Sequence, residues 1–258
     1  MRNDLSETPN AALRVSSLTH VYADGRQALD ELSFTVEPGE CVALVGPNGA
    51  GKTTLFLRLC GVLPGKPGQA SINGLDPADP KQRKQLPATV GVVFQNPDDQ
   101  LFSPTVADDV AFGPLNLGLN ANETRARVAE SLAAVGLPEA GGRVPFQLSG
   151  GEKRRAALAG VLAMRPAILL LDEPSMFLDP RGRRELIGLI GALPGTKLIA
   201  THDLDLVLDL CSRVLVLDGG KLLADGPTAK LLGDPELMDR HGLEVPHRLR
   251  FGSSEPGR

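Results

Sequence analysis

The sequence predicts an α/β fold: a largely parallel sheet with crossover helices, a small antiparallel addition near its start, and a helical lobe. Three observations carry this expectation. Short apolar runs rich in β-branched residues fall near 13–18, 33–36, 41–45, 90–94, 167–171, 197–200 and 213–217. Helical periodicity falls near 52–61, 122–135, 150–164, 181–192, 204–210 and 226–232, and strands separated by helices make a parallel sheet. Between Gln95 and Pro166 only loop and helix patterns occur, so that block reads as an insert projecting from the sheet.

The early runs sit close together around Gly and Pro turns, which points to the antiparallel addition. The expected organisation is a flexible segment over 1–11, one α/β domain over 12–235 with its helical subdomain at about 96–165, and a C-terminal tail over 236–258 that frays at FGSSEPGR. Lys+Arg number 27 against 31 Asp+Glu, a formal charge of -4, so no global positive field exists to hold nucleic acid. The three cysteines, Cys41, Cys60 and Cys211, are far apart and each lies among apolar residues. That pattern fits reduced thiols of a cytosolic protein better than a disulfide frame. The opening MRNDLSETPNAA lacks an apolar signal core, and the run AILLL at 167–171 is far short of the ~20 residues a spanning helix needs.

The run at 41–45, CVALV, leads into GPNGAGKTT at 46–54 and then into a helical pattern. This is G-x-x-x-x-G-K-[ST] in the context its chemistry requires. Gly46, Gly49 and Gly51, with Pro47, Asn48 and Ala50 between them, let successive backbone N–H groups turn toward one anion at the positive end of a helix. Lys52 then reaches the β- and γ-phosphates, and the Thr53 hydroxyl is placed to ligate Mg²⁺, with Thr54 next in the helix. A glycine-rich turn with a solvated lysine is the plainer alternative, and it gives no reason for strand, loop and helix to be in register.

AILLLDEP at 167–174 ends an aliphatic run in two acids. Asp172 is therefore expected at the carboxyl end of a buried strand, where open α/β sheets bind ligands. It fits the acid that holds Mg²⁺ through water, and Glu173 fits a base for an attacking water. LSGGEKRR at 148–155 contains an S-x-x-E capping box, Ser149 with Glu152, but a plain cap has no use for Gly150 and Gly151. Two glycines at a helix start suit a second anion site. One P-loop lysine with two phosphate-binding helix starts then suggests a head-to-tail two-fold dimer, each chain completing the other's site.

These residues, in this order, resemble the ATP-binding cassette (ABC) ATPases over roughly 12–225. GPNGAGKTT looks like Walker A, Gln95 like the Q-loop glutamine, LSGGE like the signature motif and ILLLDE like Walker B. LDP at 178–180 looks like the D-loop, and THD at 201–203 contains the switch histidine, His202. The resemblance implies a P-loop NTPase core with an antiparallel β subdomain and a helical signature subdomain, and ATP and Mg²⁺ as cofactors. It further implies that Tyr22 stacks on adenine, that His202 contacts the γ-phosphate, that Gln95 touches Mg²⁺ or the attacking water, and that Asp179 lines the dimer interface. Ser175-Met176-Phe177 departs from the Thr-Ala-Gly common at that place.

The block QNPDDQLFSPTVADDVAFGPLNLGL at 95–119 is similar to the energising ATPase subunits of energy-coupling factor transporters, particularly the cobalt and nickel uptake branch. The likeness continues through GEKRRAALAGVLAMRP and DRHGLEVP. It implies a homodimer, or a heterodimer with a paralogous cassette, at the cytoplasmic face of the membrane. The partners it implies are an integral membrane scaffold subunit and a separate solute-binding membrane subunit. Leu101 and Phe102 are expected on the surface of the helical lobe as a socket for a partner helix, the alternative being that they tuck under their own loop. The binding-protein-dependent importers are the rival within transport, and soluble repair or translation cassettes the rival outside it.

Overall fold

The structure, a computed structural model, describes residues 11–250. The expected flexible start, apart from Ala11, and the FGSSEPGR end lie outside the described residues. Two sheets form the core. Strands β1 (Leu13–Val21), β2 (Gln27–Val36) and β4 (Ala70–Ile72) make an antiparallel sheet in the order β2-β1-β4. The second sheet holds β3 (Cys41–Val45), β5 (Val90–Val93), β6 (Ile168–Asp172), β7 (Thr196–Ala200), β8 (Arg213–Asp218) and β9 (Lys221–Pro227), in the order β5-β6-β7-β3-β8-β9. Its neighbours are parallel except β9, which runs antiparallel to β8.

Why the central strands read as unbroken apolar runs is visible in their packing. Alternate residues enter two different cores. Ala43, Val45, Leu169, Leu171, Ile199, Val214 and Val216 join one core, while Val42, Leu44, Ile168, Leu170, Leu198 and Leu215 join the other. The second core is shared with α1 (Lys52–Leu59) and the antiparallel sheet through Leu13, Phe34, Leu55 and Phe56. The first is shared with α5 (Gly150–Leu162), α6 (Pro180–Ala192) and α7 (Leu204–Leu210) through Ala156, Leu186 and Leu206. Covered on both faces, the sheet is held rigid, and its carboxyl edge collects Gly46, Asp172 and Thr201 at the ends of β3, β6 and β7.

The helical lobe consists of α3 (Val106–Asn116), α4 (Ala121–Ala134) and α5. Asn120 caps α4 and Ser149 caps α5, each in a full capping box with Glu123 and Glu152. The Arg143 guanidinium, hydrogen-bonded to Glu152, holds that carboxyl down at about 2. Helix α3 is not evident from the periodicity, because Gly113 and Pro114 sit in its last turns. Its start is fixed by Thr105, whose hydroxyl accepts from the Asp108 N–H.

Several elements extend the sequence expectation. The run at 33–36 is the end of a ten-residue β2, and the helix near 226–232 starts only at Thr228 because Gly226 and Pro227 close β9. Helix α2 (Leu86–Thr89) is a single turn before β5. The segment assigned to a tail contains α9 (Pro235–Arg240) and α10 (His247–Arg250), and Met238 is 1% exposed in the first core. Leu101 and Phe102 differ in burial. Leu101 packs partly buried against the first core and still lines a groove of the lobe together with Phe102, which is 65% exposed and sets its ring edge-on to Phe112 at 5.2 Å. Among the described residues no helix is long and apolar enough to cross a membrane.

Candidate active site

The loop after β3 wraps the first turn of α1. A Cβ on Gly46 would lie 1.9 Å from the Leu217 carbonyl oxygen, and one on Gly51 2.5 Å from that of Ala28. Glycine at these two places is a packing requirement of the loop itself. No side chain caps α1, so its first N–H groups stay open to an anion. Lys52 folds back, donating to the carbonyls of Gly46 at 2.7 Å and Pro47 at 3.1 Å. Burial lowers its pKa, opposed by the carboxylates of Glu173 and Asp172.

Asp172 ends β6 and is 2% exposed. Burial raises its pKa, while the Thr53 hydroxyl, donating to Oδ2 at 2.8 Å, works the other way. Hydroxyl and buried carboxylate together are hard oxygen donors, and their number suits Mg²⁺, which keeps several waters and takes few protein ligands. Glu173 follows at φ 47, a conformation unusual for a side-chain-bearing residue. Its Oε2 accepts from the Thr201 hydroxyl at 3.0 Å and the His202 N–H at 3.2 Å, and lies 2.8 Å from His202 Nδ1. The carboxylate is thus held from β7 while its other oxygen remains for the cavity.

A cavity of 610 Å³ gathers Gly46, Pro47, Asn48, Gly49, Ala50, Gly51, Lys52, Thr53, Thr54, Gln95, Asp172, Glu173 and His202. Gln95 reaches it after β5, with Nε2 donating to the thioether sulfur of Met176 at 2.8 Å. Tyr22 is not in the lining: its hydroxyl shares a hydrogen bond with that of Thr54 at 3.0 Å, and the Arg26 guanidinium lies over its ring at 4.8 Å. Ser149, Gly150, Gly151 and Asp179 lie in a different cavity of 350 Å³, with Phe177. Asp179 caps α6 by accepting from the Gly182 N–H at 2.7 Å. A Cβ on Gly150 would meet nothing within 4 Å, so this chain's own packing does not demand that glycine.

Five residues around the site escaped the sequence reading. Thr201 was visible only as part of THD, Arg154 as one basic residue among three, and Arg26 had no motif. Gly242 and Leu243 line the nucleotide cavity from beyond α9, and the signal was their place in DRHGLEVP.

A parallel sheet with a glycine loop, lysine, hydroxyl and two acids at its carboxyl edge defines a P-loop nucleotide-binding ATPase. The family model of the ABC transporter ATPases matches residues 29–176. A candidate ABC transporter ATP-binding protein of Streptomyces coelicolor is 52% identical over 92% of this chain and 90% of its own length. The energy-coupling factor transporter ATP-binding protein EcfA of Methanothermobacter thermautotrophicus is 45% identical over 94% of this chain and 81% of its own. Among solved structures, cbiO1 of Clostridium perfringens, part of the ABC transporter complex cbiONQ, aligns with a TM-score of 0.78 and 36% identity, covering 93% of this chain and 98% of that one. The chain belongs to the ABC transporter family. It is an ABC ATPase, the ATP-binding subunit of a transporter, whose ATP hydrolysis is coupled to transport; ABC ATPases dimerise and pair with membrane subunits.

Proposed function

We propose that this chain energises solute uptake as the ATPase of an energy-coupling factor transporter, with cobalt or nickel as the solute. One observation carries the reading of how it works: Lys52 and the signature glycines lie in two separate cavities of one chain. A site needing both is completed by a second cassette, head to tail, either a copy or a paralogue. The block at 95–119, with the likeness to EcfA and cbiO1, supports the energy-coupling assignment.

In this account the α1 N–H groups and Lys52 hold the β- and γ-phosphates, and the Ser149, Gly150 and Gly151 edge of the partner cassette closes on the γ-phosphate. Thr53 and Asp172, with the Gln95 amide nearby, would hold Mg²⁺, which would supply charge neutralisation. Glu173 accepts the proton of the water whose oxygen attacks the γ-phosphorus, ADP departs, and His202 holds the carboxylate in place. Tyr22 bears on the adenine and Asp179 on the cassette interface.

The lobe carries the partner side. A groove of 420 Å³ runs between α3 and α5, floored by Ala156, Ala157 and Gly160 and rimmed by Phe102 and Phe112. It suits an apolar helix of a membrane scaffold. The test is purification from native membranes in mild detergent. A polytopic scaffold with a solute-binding membrane subunit supports the reading; a periplasmic-type binding-protein system, or ribosomal or repair proteins alone, overturns it.

A further inference from the structure

We infer that Arg154 is a positioning residue that ties the helical lobe to the backbone of Glu173. The inference rests on the reading of Glu173 as the residue that activates water. Arg154 lies one turn into α5, just past the signature glycines, and is 3% exposed. Its Nη1 donates to the Glu173 carbonyl at 2.9 Å; its Nη2 donates to the Gln95 carbonyl at 2.8 Å and the Met176 carbonyl at 3.2 Å. Nε has no partner, so the buried cation is satisfied mainly by three main-chain carbonyls, two from the loop after β6 and one from the loop after β5.

A passive core position would not hold a guanidinium. Burying a cation with no carboxylate in contact is costly, the Glu173 carboxylate acting on it without an ion-pair contact, and an apolar side chain of similar size fills the space more cheaply. What a guanidinium adds is a planar fork that fixes several acceptors at once. Here those acceptors include the peptide that follows Glu173, whose own N–H is already tied to the Ala200 carbonyl at 2.8 Å. Glu173 sits at φ 47, a left-handed conformation that persists only where its surroundings determine it. Core and lobe therefore hold this one residue from opposite sides.

The mechanical consequence follows from where Arg154 is mounted. Its Cα moves with α5, and α5 also carries the Ser149 edge and the floor of the partner groove. A rotation of the lobe withdraws the fork, releases the Glu173 and Gln95 carbonyls together, and lets the Glu173 carboxylate leave its place beside Thr201. Hydrolysis is thereby permitted only with the lobe in its docked position.

The chain tests this with Arg154→Met, Arg154→Lys and Glu173→Gln, measuring kcat, KM and the dissociation constant of ATP. Arg154→Met is expected to lower kcat by about tenfold to a hundredfold, the scale of a reacting group misplaced by an ångström, with ATP affinity changed by less than about threefold. Arg154→Lys, which keeps the charge and loses the fork, is expected to recover less than half of the lost kcat. Normal kcat in a folded Arg154→Met protein overturns the inference, as does a loss that follows the folded fraction alone or full rescue by lysine. Normal turnover by Glu173→Gln overturns the assignment of Glu173 instead, whatever Arg154 does.

Discussion

Replacing Thr201 by valine removes one hydroxyl from beneath the candidate base and leaves its shape. Thr201 is fully buried, and its hydroxyl donates to Glu173 Oε2 and accepts from the Asp203 N–H, both at 3.0 Å. A hydrogen bond to a charged acceptor contributes about 1.5–3 kcal/mol and a neutral one about 0.5–1.5 kcal/mol. Against their sum, a buried methyl in place of hydroxyl returns about 0.8 kcal/mol. The net expectation is a loss of about 1–4 kcal/mol in urea unfolding of the nucleotide-free chain at neutral pH, seen as a lower midpoint at unchanged slope. Thr201→Ser keeps both hydrogen bonds and is expected to lose about 1 kcal/mol, the methyl alone. Because the carboxylate loses an anchor, kcat of Thr201→Val falls by about tenfold for each ~1.4 kcal/mol of positioning lost. Stability within about 0.5 kcal/mol of the parent, with kcat intact, refutes the argument that Thr201 holds Glu173.

Lys52→Ala removes the only ammonium facing the phosphate cradle among the described residues, and its steady-state ATP turnover is expected to vanish; normal turnover refutes the site. Arg183→Met removes a fork that meets both Asp203 oxygens at 2.6 Å. Burial alone would raise the Asp203 carboxyl, but Arg183, the Leu206 N–H and the Ser175 hydroxyl outweigh it and hold it below its usual range. A folded carboxyl held low stabilises the chain above its ordinary pKa near 3.8, and that contribution fades as pH falls through the folded value. The variant is expected to lose about 1–3 kcal/mol at pH 7, less than a fully buried pair, and to show a flatter acid limb in pH-dependent unfolding. Gly46→Ala puts a Cβ 1.9 Å from the Leu217 carbonyl oxygen, so ATP binding measured by equilibrium titration is expected to be lost with the loop geometry.

The nucleotide edge was legible because its residues are local in sequence: CVALV, GPNGAGKTT and ILLLDE each place their own chemistry at a strand end. The helical lobe was legible as an absence of strands. What stayed hidden depends on contacts distant along the chain. The β9 strand shows only half-buried alternation and ends in Gly226 and Pro227, which reads as loop. Cys41 and Cys211 stand far apart in sequence, yet β3 pairs with β8 and brings their sulfurs to 3.5 Å. The reach of Arg154 to Gln95, Glu173 and Met176 likewise exists only once α5 packs beneath two loops. Leu101 could not be separated from Phe102 by pattern, since both are large and apolar. Tertiary packing alone buries Leu101 further than Phe102.

One chain is read as holding two halves of two shared nucleotide sites. Sedimentation velocity of Glu173→Gln protein with saturating MgATP addresses it directly, because blocked hydrolysis holds the closed state. A dimer is expected to form with MgATP and to dissociate when nucleotide is removed. A monomer under those conditions, with ATP bound, contradicts it.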